Sequence, residues 1–170
     1  MGGALDGLVV LDLTTHLSGP FCGMQLADLG ADVIKIESPQ GDAMRGAPPF
    51  VEGESAPFML WNRNKRGIRL DLKNTADLGV FWDLVDGADV VLENFRPGVM
   101  DRLGIGWKAL NARNPRLVLG SVSGFGQTGP YAHRAGYDFI IQGMAGLMSV
   151  TGEPQDQPQK VGVAVTDVFT

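Results

Sequence analysis

The sequence predicts an α/β fold, a Rossmann-like parallel sheet with flanking helices, and three observations carry that prediction. Short, almost wholly apolar runs recur along the chain, the mark of strands buried on both faces. Stretches with apolar residues at helical spacing lie between them. Strand, helix and strand first follow one another within about 30 residues, the length of a βαβ unit, which makes neighbouring strands parallel.

The first strand is Leu8-Val9-Val10-Leu11-Asp12-Leu13. Ser18-Gly19-Pro20 turns the chain, and Pro20 suits the first helical position because an N–H there has no intrahelical partner. Phe21, Met24, Leu26, Ala27 and Leu29 form the helical stripe, and Gly30 supplies the stop. Asp32-Val33-Ile34-Lys35-Ile36-Glu37 is the second strand. Residues 38–57 are polar and rich in Gly and Pro, and read as a long loop of the functional or mobile kind. Residues 68–72 alternate like a strand, and residues 75–85 carry the stripe Leu78, Phe81, Trp82 and Val85. Residues 89–93 form a third buried strand, and Asn94-Phe95-Arg96-Pro97-Gly98 turns out of it. A short helix with Met100 and Leu103 follows, then another from Trp107. Residues 117–122 are a further parallel strand. Residues 137–150 read as one helix despite Gly143 and Gly146, and residues 161–165 as a last strand that delivers Thr166 and Asp167. Trp61, Trp82, Trp107 and the methionines are expected in the core.

The 170 residues suit one domain and suffice to bury a core without disulfides or metal. At 44% hydrophobic and 19% charged, the composition excludes disorder. The net charge of −5 argues against general binding to nucleic acid or to anionic membranes. One cysteine, Cys22, leaves no disulfide framework and no CxxC motif. Two histidines, His16 and His133, leave no His-based zinc site. The first apolar run is too short for a signal peptide and contains Asp12. Asp6 stands where myristoylation after Met1-Gly2 wants Ser or Thr. No stretch approaches the ~20 apolar residues of a membrane span. A cytoplasmic protein is expected. Glycine is the outlier, at 24 residues about twice its usual share. The chain also stops at Val168-Phe169-Thr170 inside an apolar stretch, whereas domains usually end on polar, loosely held residues. The expectation is therefore that residues 1–170 are a portion of a longer chain.

In open α/β sheets ligands bind outside the carboxyl ends of the strands, so residues 14–19, Ser38, residues 94–96, residues 123–129 and Thr166-Asp167 are the positions to inspect. Gly124-Phe125-Gly126-Gln127-Thr128-Gly129 spells G-x-G-x-x-G, but Pro130 follows instead of a helix and Ser149 stands where an acid is needed. It reads as a glycine loop over a site and not as a dinucleotide fingerprint. Arg63, Lys65, Arg66, Arg69 and Lys73 concentrate positive charge on an acidic chain. They are either a solvated face or a pocket for phosphate. Asp167 reads as a helix N-cap or as a carboxylate nucleophile able to form acyl intermediates. Asp138 is the alternative nucleophile, although acids are ordinary where a helix starts. No G-x-S-x-G occurs, which argues against a hydrolase triad.

These segments together resemble the family III (class III) CoA-transferases of the CaiB/BaiF type. The resemblance runs through Leu5-Asp6-Gly7, Val10-Leu11-Asp12-Leu13-Thr14, Gly19-Pro20 and Leu29-Gly30-Ala31-Asp32-Val33-Ile34-Lys35-Ile36-Glu37. It continues through Asn64-Lys65-Arg66, Asp71-Leu72-Lys73, Val91-Leu92-Glu93-Asn94-Phe95-Arg96-Pro97-Gly98, the glycine loop with Pro130, Ala135-Gly136-Tyr137-Asp138 and Thr151-Gly152. It covers essentially the whole chain in order.

The resemblance implies an enzyme that moves CoA from an acyl-CoA such as succinyl-CoA to a carboxylic acid. It implies a full chain about twice as long or more, forming an interlocked homodimer, and leaves this portion inactive by itself. The family's nucleophilic aspartate falls on Asp167. Its CoA-contacting positions fall on Leu17 and Ser18, on Leu70, Asp71, Leu72 and Lys73, on Asn94, Phe95 and Arg96, on Arg102, and on Arg134, Ala135, Gly136 and Tyr137. Coenzyme A and acyl-CoA enter as substrates, with no tightly bound cofactor and no metal. An arginine that contacts CoA after the second strand in the family is Ser38 here, so Arg45 or the 63–73 cluster is expected to compensate. Related acyl-CoA racemases carry a catalytic histidine where this chain has Tyr137. A phenol, with an ordinary pKa of about 10, suits α-proton exchange poorly, which favours transfer over racemisation. A CoA-binding domain without catalysis is the remaining alternative.

Overall fold

The structure is a computed structural model describing residues 2–152 and 157–170. It divides into two compact units, residues 1–122 and 123–170.

The first unit is built on five parallel strands: β1 (Val9–Asp12), β2 (Asp32–Glu37), β5 (Lys65–Arg69), β6 (Val90–Glu93) and β7 (Val118–Ser121), in the spatial order β5-β2-β1-β6-β7. From β1 the chain runs outward through β2 to β5, then returns to the other side of β1 for β6 and β7. The strand order therefore reverses between β1 and β6, the place where open α/β sheets form a ligand crevice.

Alternation along each strand sorts the side chains by face. Leu11, Ile34, Ile36 and Val91 enter the larger core with Phe81 and Val85 of α3 (Thr75–Asp86), Met100 of α4 (Val99–Arg102) and Leu110 of α5 (Trp107–Arg113). Val10, Val33 and Leu92 pack on the other face with Ala27 of α1 (Ser18–Asp28). Asp12, Lys35 and Glu37 share the parity of that second face, and all three are buried. Helix α3 starts on an Asn74 cap whose side chain accepts from the Ala76 and Asp77 N–H groups, and Gly87 closes it.

Four expectations need correction in this unit. The strand expected over residues 68–72 lies three residues earlier. Ile68, Leu70 and Leu72 do pack on the core, but Leu70 and Leu72 do so beyond the ladder, from the connection. Its charged residues suit an edge strand. Residues 38–57 are not a plain loop. A hairpin joins β3 (Phe50–Val51) to β4 (Glu54–Ser55) through Glu52 and Gly53, both at positive φ as a type I′ turn requires. Helix α2 (Ala56–Asn62), which the periodicity missed, starts on Ser55, whose hydroxyl accepts from the Phe58 N–H. Pro20 lies within the first turn of α1 and not at its first position. Trp107 is 47% exposed, because it opens α5 on the solvent side.

The second unit holds α6 (Asp138–Met144) and α7 (Val165–Val168). The single helix expected over residues 137–150 breaks where Gly146 adopts a φ of +85°, and residues 147–150 continue as a 3-10 turn. Residues 161–165 form no strand. The Val161 N–H donates to the Gln142 Oε1 at 2.9 Å, and the Gln142 amide reaches the Val163 carbonyl at 3.4 Å. One glutamine side chain thus supplies what a neighbouring strand would have given.

Candidate functional site

At the carboxyl ends of β1, β2 and β5 the first unit opens a cavity of about 500 Å³. Its apolar wall includes Leu13, Ile36, Leu70, Leu72, Phe95 and Leu103, and its polar rim Thr14, Thr15, His16, Glu37, Ser38, Asp42 and Lys73. Buried polar groups hold the rim in place. Asn94, just after β6, exchanges two hydrogen bonds with the backbone of one residue, Thr15, in the β1 loop. Its Oδ1 accepts from the Thr15 N–H at 2.9 Å, and its Nδ2 donates to the Thr15 carbonyl at 2.7 Å. This pair ties the loop after β1 to the loop after β6, where the strand order reverses. His16 follows at a φ of +68°, fixed by its neighbours on either side.

Asp42 ties the β2 loop to the same rim. Its Oδ1 accepts from the Thr15 hydroxyl at 2.8 Å and from the Met44 N–H at 2.9 Å. Its Oδ2 lies 3.0 Å from the buried Lys35 ammonium, which also donates to the Thr14 carbonyl at 2.8 Å. Burial would raise the Asp42 carboxyl, but the Lys35 charge and the donated hydrogen bonds outweigh it and hold the group below its ordinary value. Glu37 grips Arg45 in a two-bonded fork at 2.7 and 2.6 Å, and that guanidinium holds the Glu37 carboxyl below its usual range. The same guanidinium stacks 3.8 Å above the Phe58 ring.

The basic cluster of residues 63–73 is not one anion pocket. Lys65 turns inward to Asp12 at 2.7 Å, with its side chain only 1% exposed, and burial pushes its ammonium pKa down. Arg63 pairs with Asp28 and Arg66 with Asp32. Successive residues of β5 point to opposite faces, so Lys65 turns inward while Arg66 meets Asp32 of the neighbouring β2 at the surface. Lys73 alone of the five lines the cavity, and it forms no ion pair among the described residues. Arg45 is likewise paired with Glu37 and does not line the cavity.

The expected CoA positions thus separate into groups. Leu70, Asp71, Leu72, Lys73 and Phe95 line one cavity. Asn94 frames it from behind. Leu17 caps α1, Ser18 opens that helix, Arg96 lies in the turn after β6 and Arg102 ends α4, and none of these four lines the cavity. Reading the sequence missed Asp42, Lys35 and Glu37 as the frame of the rim. The signal was present in β2, where a lysine and a glutamate interrupt a buried apolar run.

In the second unit, Gly124 and Gly136 approach so closely that a Cβ on Gly124 would lie 2.4 Å from the Gly136 Cα. This fixes the glycine loop against the segment carrying Arg134, Ala135 and Tyr137. Arg134 stacks on Tyr131, which meets Phe125 edge-on, and Tyr137 stacks on Phe139. Asp167 lies half-buried in the single turn of α7, and not at the end of a strand. Asp138 is not a free carboxylate. Its Oδ1 accepts from the Thr166 N–H at 3.0 Å and the Thr166 hydroxyl at 2.7 Å, and its Oδ2 from the Gln142 amide at 2.6 Å. Burial would raise its carboxyl, but these bonds and the Asp167 N–H hold it below its ordinary value. A carboxylate so engaged acts as a clamp on the turn that carries Asp167.

Among the described residues, no three His, Cys, Asp or Glu side chains gather to hold a metal ion, and no helix is long and apolar enough to cross a membrane.

Residues 5–170 match the family described as CoA-transferase family III. The chain is 49% identical over 174 residues to the succinate–glutarate CoA-transferase of Agrobacterium fabrum, covering 98% of this chain and 44% of that one. It is 52% identical over 161 residues to the acetyl-CoA:oxalate CoA-transferase of Acetobacter aceti, covering 94% and 41%. The crystal structure of a CaiB/BaiF family protein from Brucella suis superimposes with a TM-score of 0.95 at 50% identity, over 100% of this chain and 46% of that one. The chain therefore spans less than half the length of these relatives. With that match across the crevice and Asp167 alike, the chain belongs to CoA-transferase family III.

Proposed function

We propose that the protein transfers coenzyme A from an acyl-CoA to a carboxylic acid, with Asp167 as the nucleophile. The match of residues 5–170 to CoA-transferase family III carries this reading, because its span takes in both the crevice and Asp167. The Asp167 carboxylate attacks the thioester carbonyl, forming an aspartyl–acyl anhydride and releasing CoA thiolate. The thiolate then attacks the aspartyl carbonyl, giving an aspartyl–CoA thioester and freeing the first acid. An incoming carboxylate reverses the two steps and leaves with CoA. A carboxylate suits this role because entering and leaving groups are chemical twins, so each exchange is nearly thermoneutral. Backbone N–H groups of the glycine loop supply donors for the oxyanions.

The cavity of the first unit takes part of the CoA, with Leu70, Leu72 and Phe95 as its apolar floor and Lys73 for a phosphate. Leu17, Ser18, Arg96 and Arg102 extend that surface, and the family resemblance assigns further CoA contacts to Arg134, Ala135, Gly136 and Tyr137 of the second unit. Tyr137 in place of a histidine weighs against racemisation. The substrates named for the relatives favour succinyl-CoA as donor and a dicarboxylate as acceptor. The working form is an interlocked homodimer in the cytoplasm, where the lone thiol Cys22 stays reduced. A screen of dicarboxylates against succinyl-CoA, using the protein expressed from its complete gene, tests the reading. Acyl-CoA formation that vanishes in Asp167→Asn supports it, and hydrolysis or α-proton exchange without CoA transfer refutes it.

A further inference from the structure

We propose that Asp138 and Gln142 are positioning residues for Asp167, holding the turn that carries it in one fixed orientation. The inference rests on the reading of Asp167 as the nucleophile. The single turn of α7 is too short to hold itself, since the first turn of a helix fixes several residues for one hydrogen bond. It is held from outside. The Asp138 carboxylate takes the Thr166 N–H, the Thr166 hydroxyl and the Asp167 N–H, so the residue before the nucleophile and the nucleophile's own peptide end on one anion. The Thr166 hydroxyl also reaches the Asp138 carbonyl at 3.2 Å.

That anion is itself oriented. Its other oxygen receives the Gln142 amide at 2.6 Å, four residues on along α6, which places both side chains on one face. Gln142 is fully buried, and its Oε1 takes the Val161 N–H while its amide faces the Val163 carbonyl. The strap of residues 161–164 leading into α7 is therefore fastened at its start by Gln142 and at its end by Asp138. A fully buried glutamine that divides its donors between Asp138 and the Val163 carbonyl, and gives its acceptor to the Val161 N–H, is costly to maintain without such a role. Neither residue touches a reacting atom. Each acts by fixing the nucleophile before substrate arrives, which lowers the reorganisation left for the chemical step.

The test uses the protein expressed from its complete gene, with succinyl-CoA as donor and the acceptor that serves it best. Asp138→Asn keeps the shape but sets an amide against the Gln142 amide. It is expected to lower kcat about 100-fold, the scale of a 1 Å misplacement, with KM for succinyl-CoA unchanged. Gln142→Glu alone sets two carboxylates together and is expected to lower kcat as well. The double variant Asp138→Asn/Gln142→Glu moves the charge four residues along and restores donor against acceptor between the two side chains, while turning a carboxylate oxygen on the Val163 carbonyl, so kcat is expected to recover in part. If Asp138→Asn fails to fold, Thr166→Val decides, since it removes one hydroxyl and keeps the branched shape. It is expected to fold and to lose kcat at unchanged KM. Wild-type kcat in Asp138→Asn, or in a folded Thr166→Val, or no recovery in the double variant, overturns the inference. A dead Asp167→Asn beside an unimpaired Asp138→Asn overturns it alone. An active Asp167→Asn overturns the nucleophile reading and this inference with it.

Discussion

Replacing Lys65 with methionine removes one partner of the Asp12–Lys65 pair, which sits under α1 with side chains 0% and 1% exposed. At 2.7 Å and an effective dielectric constant of about 20, the gross attraction is about 6 kcal/mol, much of it offset by the desolvation of both ions. Lys65 also donates to the Pro20 carbonyl at 2.9 Å and to the Asn62 Oδ1 at 3.0 Å, so both acceptors lose their cation. A buried carboxylate left alone costs about 3–5 kcal/mol. For a chain of this size that corresponds to a fall in Tm of about 6–20 °C. All three tryptophans lie in the first unit, so tryptophan fluorescence during thermal or urea unfolding follows that unit. The double change Asp12→Asn/Lys65→Met removes both charges while leaving an acceptor for the Thr14 N–H, and is expected to be more stable than Lys65→Met alone. A Lys65→Met protein within about 1 kcal/mol of wild type would refute the reasoning, since a pair broken in a dry site cannot cost so little.

Acid should loosen the cavity rim before the rest of the first unit. Glu37 and Asp42 titrate below their ordinary values when folded, so the stability they lend is present above the unfolded carboxyl pKa of about 4 and is lost as pH falls through the lower folded value. Arg45→Gln should shrink that loss, read as the difference in urea midpoint between pH 7 and pH 3. Asn94→Asp keeps the acceptor for the Thr15 N–H but turns an oxygen on the Thr15 carbonyl, a cost of about 1–3 kcal/mol. Faster hydrogen exchange at Thr15 and weaker CoA binding by calorimetry check it. Gly124→Ala drives a Cβ into the Gly136 backbone at 2.4 Å, which cannot yield, and should cost about 1–3 kcal/mol. Faster hydrogen exchange across residues 124–136, with the first unit unchanged, is the expected outcome.

The sheet was legible because β1, β2 and β6 are buried on both faces and leave nearly unbroken apolar runs in the sequence. What governs β5 is different. Its place is set by pairing Lys65 to Val33 and by ion pairs to Asp12 and Asp32, and neither distant partner shows in a local pattern. Helix α2 left only its cap, Ser55 with Pro57 two residues on, inside a stretch dominated by glycine and proline. The strand read into residues 161–165 came from true alternation, but a glutamine side chain from α6 took the place of the neighbour that alternation presumes. At the site, Phe95 was found as a strand-end residue, and Leu70 to Lys73 only through the family resemblance. The buried frame of Lys35, Glu37 and Asp42 escaped, because its meaning lies in which loops it ties together.

The most direct measurement is on Asp167. The protein expressed from its complete gene is incubated with succinyl-CoA, quenched, digested and examined by mass spectrometry. The account predicts a CoA adduct on the peptide containing Asp167, formed fast enough to support turnover, discharged by an added dicarboxylate, and absent from Asp167→Asn. Turnover with no adduct, or an adduct on another carboxylate that survives Asp167→Asn, would contradict it.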